Sequence, residues 1–273
     1  MSGLRKLVTI GLMLVFTAMM LGVCTAQAQD KGVEAIKKKG KLVVGTASGY
    51  YPFEMVDKKN ELVGFDVDIA KAVAKSLGVQ VEFQNYAFSG LIPALQAGKI
   101  DMVLAGMTAT EKRRETVDFS DPYFISGLGI LVSKAVPNVR KPEDLDKPGY
   151  VIGVSMGTTG DQAATRIFKN ATVKKFDGSA LAGLEVINGK AQAVIHDTPW
   201  VAIYQRRNKD TTYAVLEPFT TEPLGIAVPK GNPELVAWLN AFLKKYKESG
   251  EYKKAYDYWF VDMPWWDSVT PKN

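Results

Sequence analysis

Short apolar runs alternate with stretches of helical period along most of this chain. Leu42-Val43-Val44-Gly45 predicts a first strand. Ile69, Val73 and Leu77 recur every four residues and predict a helix, with Asp66 placed to cap it and Gly78 to end it. Val79-Gln80-Val81-Glu82-Phe83 alternates as a strand does. Leu91 to Ala97 predicts a helix with Pro93 in its first turn and Gly98 behind it. The apolar run Ile100 to Ala105 predicts a buried strand. Thr108, with Glu111 three residues on, fits a capping box, so a helix carrying Arg113 in its first turns is expected after that strand.

The same logic then repeats. Tyr150 to Val154 predicts a strand, Met156-Gly157-Thr158-Thr159-Gly160 a turn, and a helix should follow to about Phe168. Val173 to Phe176, Ala180 to Ile187, Ala193 to Ile195 and Trp200 to Arg206 continue the alternation. Leu224 to Val228 predicts a late strand. Pro233 to Ser249 predicts an amphipathic helix whose apolar stripe, Trp238, Leu239, Phe242 and Leu243, reads as core. Strand and helix in regular alternation predict an α/β protein, here in two units.

The N-terminus departs from this pattern. Arg5 and Lys6 precede an uncharged apolar stretch, Leu7 to Val23, and Ala26-Gln27-Ala28 follows as a small-x-small cleavage site. Residues 1–28 therefore read as a signal peptide, with the processed chain starting at Gln29. The stretch is shorter than the ~20 residues a spanning helix needs. Cys24 is the only cysteine, and Leu21-Gly22-Val23 is a poor lipid-attachment motif because Val23 is bulky where a small residue belongs. Cleavage would leave no cysteine, which excludes disulfides, thiol nucleophiles and thiolate metal ligands. His196 is the only histidine, so a zinc site built on several histidines is excluded. The formal charge of +5 falls to +3 when Arg5 and Lys6 are removed, and the lysines are scattered. Neither a basic patch nor a reading motif points to nucleic acid.

Three places carry candidate chemistry. Arg113 lies near a strand end and a helix start, where its planar fork and free helix N–H groups both suit a carboxylate. A mobile surface arginine is the alternative, and the reading preferred for Arg114. Thr158-Thr159-Gly160 offers a second anion site of free N–H groups before a helix. Asp197 follows the strand ending at Ile195, where ligands gather in open α/β sheets, and suits an ammonium group. From local sequence alone, a cap for the helix that contains Pro199 and Trp200 is the preferred reading.

These places fall within a longer ordered set: Leu62-Val63-Gly64-Phe65-Asp66-Val67-Asp68, Phe88-Ser89-Gly90-Leu91-Ile92-Pro93, Ala105-Gly106-Met107-Thr108-Ala109-Thr110-Glu111-Lys112-Arg113, Asp118-Phe119-Ser120-Asp121-Pro122-Tyr123-Phe124 and Ile195-His196-Asp197-Thr198-Pro199. The set resembles the extracytoplasmic solute-binding proteins (family 3) that feed polar amino acids to ABC importers, with the glutamine-binding pattern nearest. The resemblance runs from about Lys41 to about Phe260. It implies a two-lobed, type II periplasmic-binding-protein fold, each lobe a mixed sheet flanked by helices, joined by two hinge strands near Tyr123 to Gly129 and Thr220 to Leu224. Lobe one would be 29–125 plus 225–273 and lobe two 126–224, closing on the ligand by a hinge motion. It further implies a periplasmic monomer that binds a free L-amino acid and delivers it to an inner-membrane permease, with no catalysis, no cofactor and no metal.

Carried over residue by residue, Arg113 resembles the carboxylate-binding arginine, assisted by the Thr159 backbone. Asp197 resembles the ammonium-binding aspartate, with the Gly106 carbonyl and the Thr108 hydroxyl completing that shell. Tyr50 and Phe88 resemble the aromatic walls, and His196 matches the glutamine-binding pattern. Two positions depart from it. Ala47 stands where several relatives place an aspartate that holds a polar or cationic side-chain end, and Ser155 stands where the glutamine-binding pattern has a lysine. A pocket without that aspartate disfavours lysine and arginine unless another acid such as Glu54 reaches in, so a glutamine-like ligand is expected. The rival reading is an enzyme on the same fold, a periplasmic cyclohexadienyl or arogenate dehydratase, with His196 or Glu54 as the acid or base of an elimination.

Overall fold

Helix α1 (Val33–Lys39) leads into strand β1 (Lys41–Thr46), the short hairpin β2 (Met55–Val56) and β3 (Leu62–Val63), and helix α2 (Phe65–Leu77). Strand β4 (Gln80–Asn85), helix α3 (Leu91–Gln96), strand β5 (Met102–Val103), the single turn α4 (Glu111–Arg114) and strand β6 (Val117–Phe119) follow. Next come β7 (Phe124–Ser126), β8 (Leu128–Ser133), β9 (Val151–Ser155), α5 (Thr159–Ile167), β10 (Thr172–Phe176) and α6 (Ser179–Ile187). The chain continues through β11 (Ala193–Asp197), α7 (Thr198–Arg207), β12 (Thr212–Val215), β13 (Glu222–Leu224) and β14 (Ala227–Pro229) to α8 (Pro233–Glu248) and α9 (Glu251–Tyr256). The structure, a computed structural model, describes residues 32–269. The expected signal peptide, its expected cleavage site and Cys24 lie outside the described residues.

Two mixed sheets result, in the orders β4-β1-β5-β14-β6 and β10-β9-β11-β8-β12. In the first, β4, β1 and β5 are parallel, while β14 runs antiparallel to β5 and β6. In the second, β10, β9 and β11 are parallel, while β8 runs antiparallel to β11 and β12. The chain leaves the first sheet through β7 and returns through β13. These two strands pair with each other, Ser126 opposite Glu222 and Phe124 opposite Leu224.

Helices cover the sheets because each presents one apolar stripe. Helix α2 buries Phe65, Ile69, Ala70, Val73, Ala74 and Leu77, so the four-residue recurrence in the sequence is its inner face. Burying one such large side chain contributes about 1.5–3 kcal/mol relative to leaving it in water. Helix α8 buries Leu235, Leu239, Phe242 and Leu243, with Trp238 half-buried at the edge of the stripe. Strands β8 and β11 are buried along their whole length. Among the described residues, no helix is long and apolar enough to cross a membrane.

Three local expectations need correction. Asp66 does not cap α2, whose N-cap is Gly64. The Phe65 and Asp66 N–H groups donate instead to the Pro52 and Phe53 carbonyls, each at 3.0 Å. Only glycine permits this approach: at Gly64, φ is 145° and a Cβ would lie 2.1 Å from the Phe53 carbonyl oxygen. Thr108 does not cap α4 either. Thr110 does, its Oγ1 accepting the Arg113 N–H at 3.2 Å, while Thr108 bridges to Leu224. The single late strand, Leu224 to Val228, divides into β13 and β14, because the chain there exchanges its pairing with β7 for pairing with β5 and β6.

Candidate functional site

The carboxyl ends of the parallel strands of both sheets converge on one cavity. Strand β1 leads to Ala47, Ser48 and Tyr50, β4 to Phe88, and β5 to Gly106 and Thr108. Strand β9 ends in Ser155 and leads to Thr158 and Thr159, β10 leads to Asp177, Gly178 and Ser179, and β11 ends in His196 and Asp197. Arg113 enters from α4. Strand ends and helix starts leave backbone groups unpaired, which is why ligands collect there in open α/β sheets. Every residue singled out from the sequence lines this cavity: Tyr50, Phe88, Gly106, Thr108, Arg113, Ser155, Thr159, His196 and Asp197.

Arg113 is buried, with 7% of its surface exposed. Its Nη1 donates to the Thr108 carbonyl at 2.8 Å and its Nη2 to the Gly157 carbonyl at 3.0 Å, from opposite sides of the cavity. The guanidinium lies 5.1 Å from the centroid of the Phe88 ring. Both hydrogen bonds go to neutral carbonyls, so the positive charge is not answered by an ion pair. Burial lowers its pKa to about 10, which leaves it charged at neutral pH. Beside it, the turn before α5 is held by Asp161, whose Oδ2 accepts the Gly157 N–H at 3.0 Å, and Thr158 caps the helix through the Asp161 N–H. The first N–H groups of α5, on Thr159 and Gly160, lie outside the helical ladder.

Asp197 occupies the N-cap position of α7 but makes no side-chain cap. The helix start is satisfied elsewhere. The Thr198 N–H donates to the Gly127 carbonyl at 2.9 Å, and Pro199 has no N–H to cap. The Asp197 carboxylate is therefore left with a buried, unpartnered Oδ1. Burial raises its pKa to about 7. The Tyr50 hydroxyl lies near enough to influence Asp197 but makes no hydrogen bond of acceptable geometry.

His196 stacks on Trp200 with centroids 4.7 Å apart and meets the edge of Tyr50 at 4.9 Å. Burial lowers its pKa to about 3, so the imidazole is neutral. Its Nδ1 accepts the Asp197 N–H at 2.8 Å. An accepting nitrogen carries no proton, so Nε2 holds the proton and can donate. The 3.6 Å approach of Nδ1 to the Asp197 carboxylate is thus no ion pair.

The Tyr50 wall is fitted to Gly106. At Gly106, φ is 54° and a Cβ would lie 2.1 Å from Tyr50 Cε1. Asp66 anchors this glycine from behind, its Oδ2 accepting the Gly106 N–H and the Tyr123 hydroxyl, each at 2.7 Å.

The family model of bacterial extracellular solute-binding proteins, family 3, matches residues 42–262. The chain belongs to that family. A probable histidine-binding protein from Neisseria gonorrhoeae is 36% identical over 249 residues, covering 90% of this chain and 92% of its own. An ABC transporter glutamine-binding protein from Bacillus subtilis (strain 168) is 32% identical over 275 residues, covering 96% and 99%. Among solved structures, an ancestral amino acid-binding protein, described as a precursor of cyclohexadienyl dehydratase, matches with a TM-score of 0.79 at 45% identity over 84% of this chain and 99% of its own. The fold is the type II periplasmic-binding-protein fold.

Glu54 is a lining residue of this solute-binding protein that the sequence named only as an exception to the missing aspartate and as a candidate acid or base of the rival enzyme. It is 0% exposed, lines the cavity, and has no hydrogen-bond partner on either carboxylate oxygen. Burial, then the nearby Asp66 and Asp197, raises its pKa well above the ordinary carboxylate range. Its signal was a lone acid within Tyr50-Tyr51-Pro52-Phe53-Glu54-Met55-Val56, an apolar setting that buries whatever it contains. Ala47 and Ser155 line the same space and bring no charge. Among the described residues, no cluster of His, Cys, Asp and Glu is suited to a metal.

Proposed function

We propose that this protein is the amino-acid-binding component of an ABC importer. It captures a free polar L-amino acid in the periplasm, as a monomer after loss of residues 1–28, and hands it to an inner-membrane permease. One observation carries the reading. A buried guanidinium with donors to spare and a buried carboxylate with a free oxygen line the same cavity. An α-amino acid presents the matching charges on one carbon, and burying either without a partner is very costly. Arg113, with the Thr159 N–H, takes the α-carboxylate. Asp197 takes the ammonium group together with the Gly106 carbonyl and the Thr108 hydroxyl. Tyr50 and Phe88 flank the side chain, and Ser155 and His196 Nε2 face its end.

Closure follows from the same contacts. The lobes are 29–125 with 225–273, and 126–224, and they hinge on β7 and β13. The Gly49 carbonyl accepts Ser179 Oγ at 3.1 Å and Trp200 Nε1 at 3.2 Å, and Arg113 reaches the Gly157 carbonyl. A ligand touching both sides binds the closed form better and shifts the balance toward it. The named relatives, a probable histidine-binding protein and a glutamine-binding protein, support the class of ligand. A dehydratase is the second reading, since Glu54 and His196 both line the cavity. The related structure linked to that enzyme is itself described as an amino acid-binding precursor, which favours capture.

A thermal-shift screen of the purified protein against the common L-amino acids tests this. A ligand of the folded state adds about 2.7 kcal/mol of stability at a hundredfold excess over its Kd. At least one amino acid is expected to raise the melting temperature, and prephenate should yield no phenylpyruvate. No shift with any amino acid, or turnover of prephenate, would refute the proposal.

A further inference from the structure

Capture of the amino-acid backbone leaves Glu54 without a task. The chain holds it rigidly in the cavity wall. Its carbonyl accepts the Gly49 and Tyr50 N–H groups, and its own N–H donates to the Tyr50 carbonyl, all at 3.0 Å. Gly64 closes on the same turn, where a Cβ would lie 2.9 Å from the Glu54 nitrogen. The carboxylate rooted there has both oxygens buried and bare.

Nothing around it supplies a counter-charge. Its charged neighbours are Asp66 and Asp197, both acids. Asp66 is engaged by Gly106 and Tyr123. His196 is neutral. Arg113 is the one permanent cation among the described residues that line the cavity, and its charge answers the ligand's carboxylate. A zwitterion with a neutral side chain thus pairs Arg113 and Asp197 and leaves Glu54 protonated, with both buried oxygens unpartnered. A ligand with a cationic side chain pairs all three.

We infer that Glu54 is the side-chain recognition residue of the cavity and that the ligand class is the basic L-amino acids, arginine ahead of lysine. The inference rests on the capture reading above. It turns the two departures, Ala47 and Ser155, from a loss of charge into room for a long side chain. A guanidinium ranks first because its planar fork can donate to both bare oxygens at once, which a single ammonium does less well. Glutamine leaves Glu54 in its protonated form and gains no charge pair from it, and glutamate adds a second negative charge beside it.

Titration calorimetry with L-arginine, L-lysine, L-glutamine and L-glutamate, on the wild type and on Glu54→Gln, decides the matter. Wild type should bind arginine at least about tenfold more tightly than glutamine. Truncating one partner of a buried, hydrogen-bonded charge pair should cost roughly thirtyfold or more. Glu54→Gln should therefore weaken arginine by that factor while glutamine changes by less than about threefold. Glutamine binding as tightly as arginine in the wild type, or arginine unmoved in Glu54→Gln, overturns the inference and leaves capture standing. No binding of any of the four by the wild type overturns the inference, while capture itself fails only if the thermal-shift screen finds no amino acid that stabilises the protein. The wild-type ranking stands as the test if the variant does not fold.

Discussion

Replacing Arg113 with alanine isolates the interaction on which capture depends. The guanidinium has five N–H donors, and two are engaged with the Thr108 and Gly157 carbonyls, so three remain for a ligand. Alanine would leave a buried α-carboxylate with only helix N–H groups. Loss of one partner from a buried charge pair costs about 2–5 kcal/mol, or roughly thirty- to several-thousandfold in Kd. Stability should change far less. The hydrogen bonds lost to the two carbonyls are offset by the relief of burying a charge, a burial strong enough to pull the pKa down to about 10. The unfolding free energy is therefore expected to move by less than about 2 kcal/mol. Arg113→Lys should fall between, since it keeps the charge but loses the fork. Arg114 is exposed and lies 5.3 Å from the Phe119 ring centroid, so Arg114→Ala should shift Kd by less than about threefold. Calorimetry with the best ligand of the thermal screen measures all three. Near wild-type affinity in Arg113→Ala, with the fold intact, would refute the assignment.

Two further outcomes are expected. Gly106→Ala should reduce binding by about tenfold or more while the protein still folds, because the new methyl group meets the Tyr50 ring and the backbone needs a positive φ; calorimetry showing unchanged affinity would exclude a fitted Tyr50 wall. Burial raises Asp66 and Asp197 from 3.8 to about 7 and lowers His196 from 6.5 to about 3. The folded protein therefore holds carboxyl protons that the unfolded chain releases, and the stability this confers is lost as pH rises from about 4 through 7. The imidazole acts in the opposite sense, costing stability as pH falls below about 6.5. With these two acids and Glu54, raised in the same sense, against one imidazole, urea unfolding of the ligand-free protein should show greater stability near pH 5.5 than near pH 7.5, and the reverse order would contradict the burial argument.

Local grammar and chain order are legible from the residues alone. Period-two and period-four apolar recurrence predicted β4, α2 and α8, because each depends on residues within one or two turns of each other. Chain order sets which residues follow a strand or start a helix, so Arg113, Thr159 and Asp197 are legible as strand-end or helix-start positions, whereas Ser155 came only from the family resemblance. Which polar groups stay unpaired was decided only by the tertiary structure. Asp66 looked like a cap, yet the carbonyls of Pro52 and Phe53 take the helix start and leave its carboxylate for Gly106 and Tyr123. Asp197 looked equally like a cap, yet Gly127, far away in the chain, accepts the N–H of Thr198 and frees it. Glu54 became a buried acid facing a cavity only once α2, Gly64 and the Tyr50 turn closed around it. The physical reason is the same in each case. A donor or acceptor is satisfied by whichever partner reaches it in the folded chain, and that competitor can come from anywhere along the sequence, whereas periodicity reports only on neighbours.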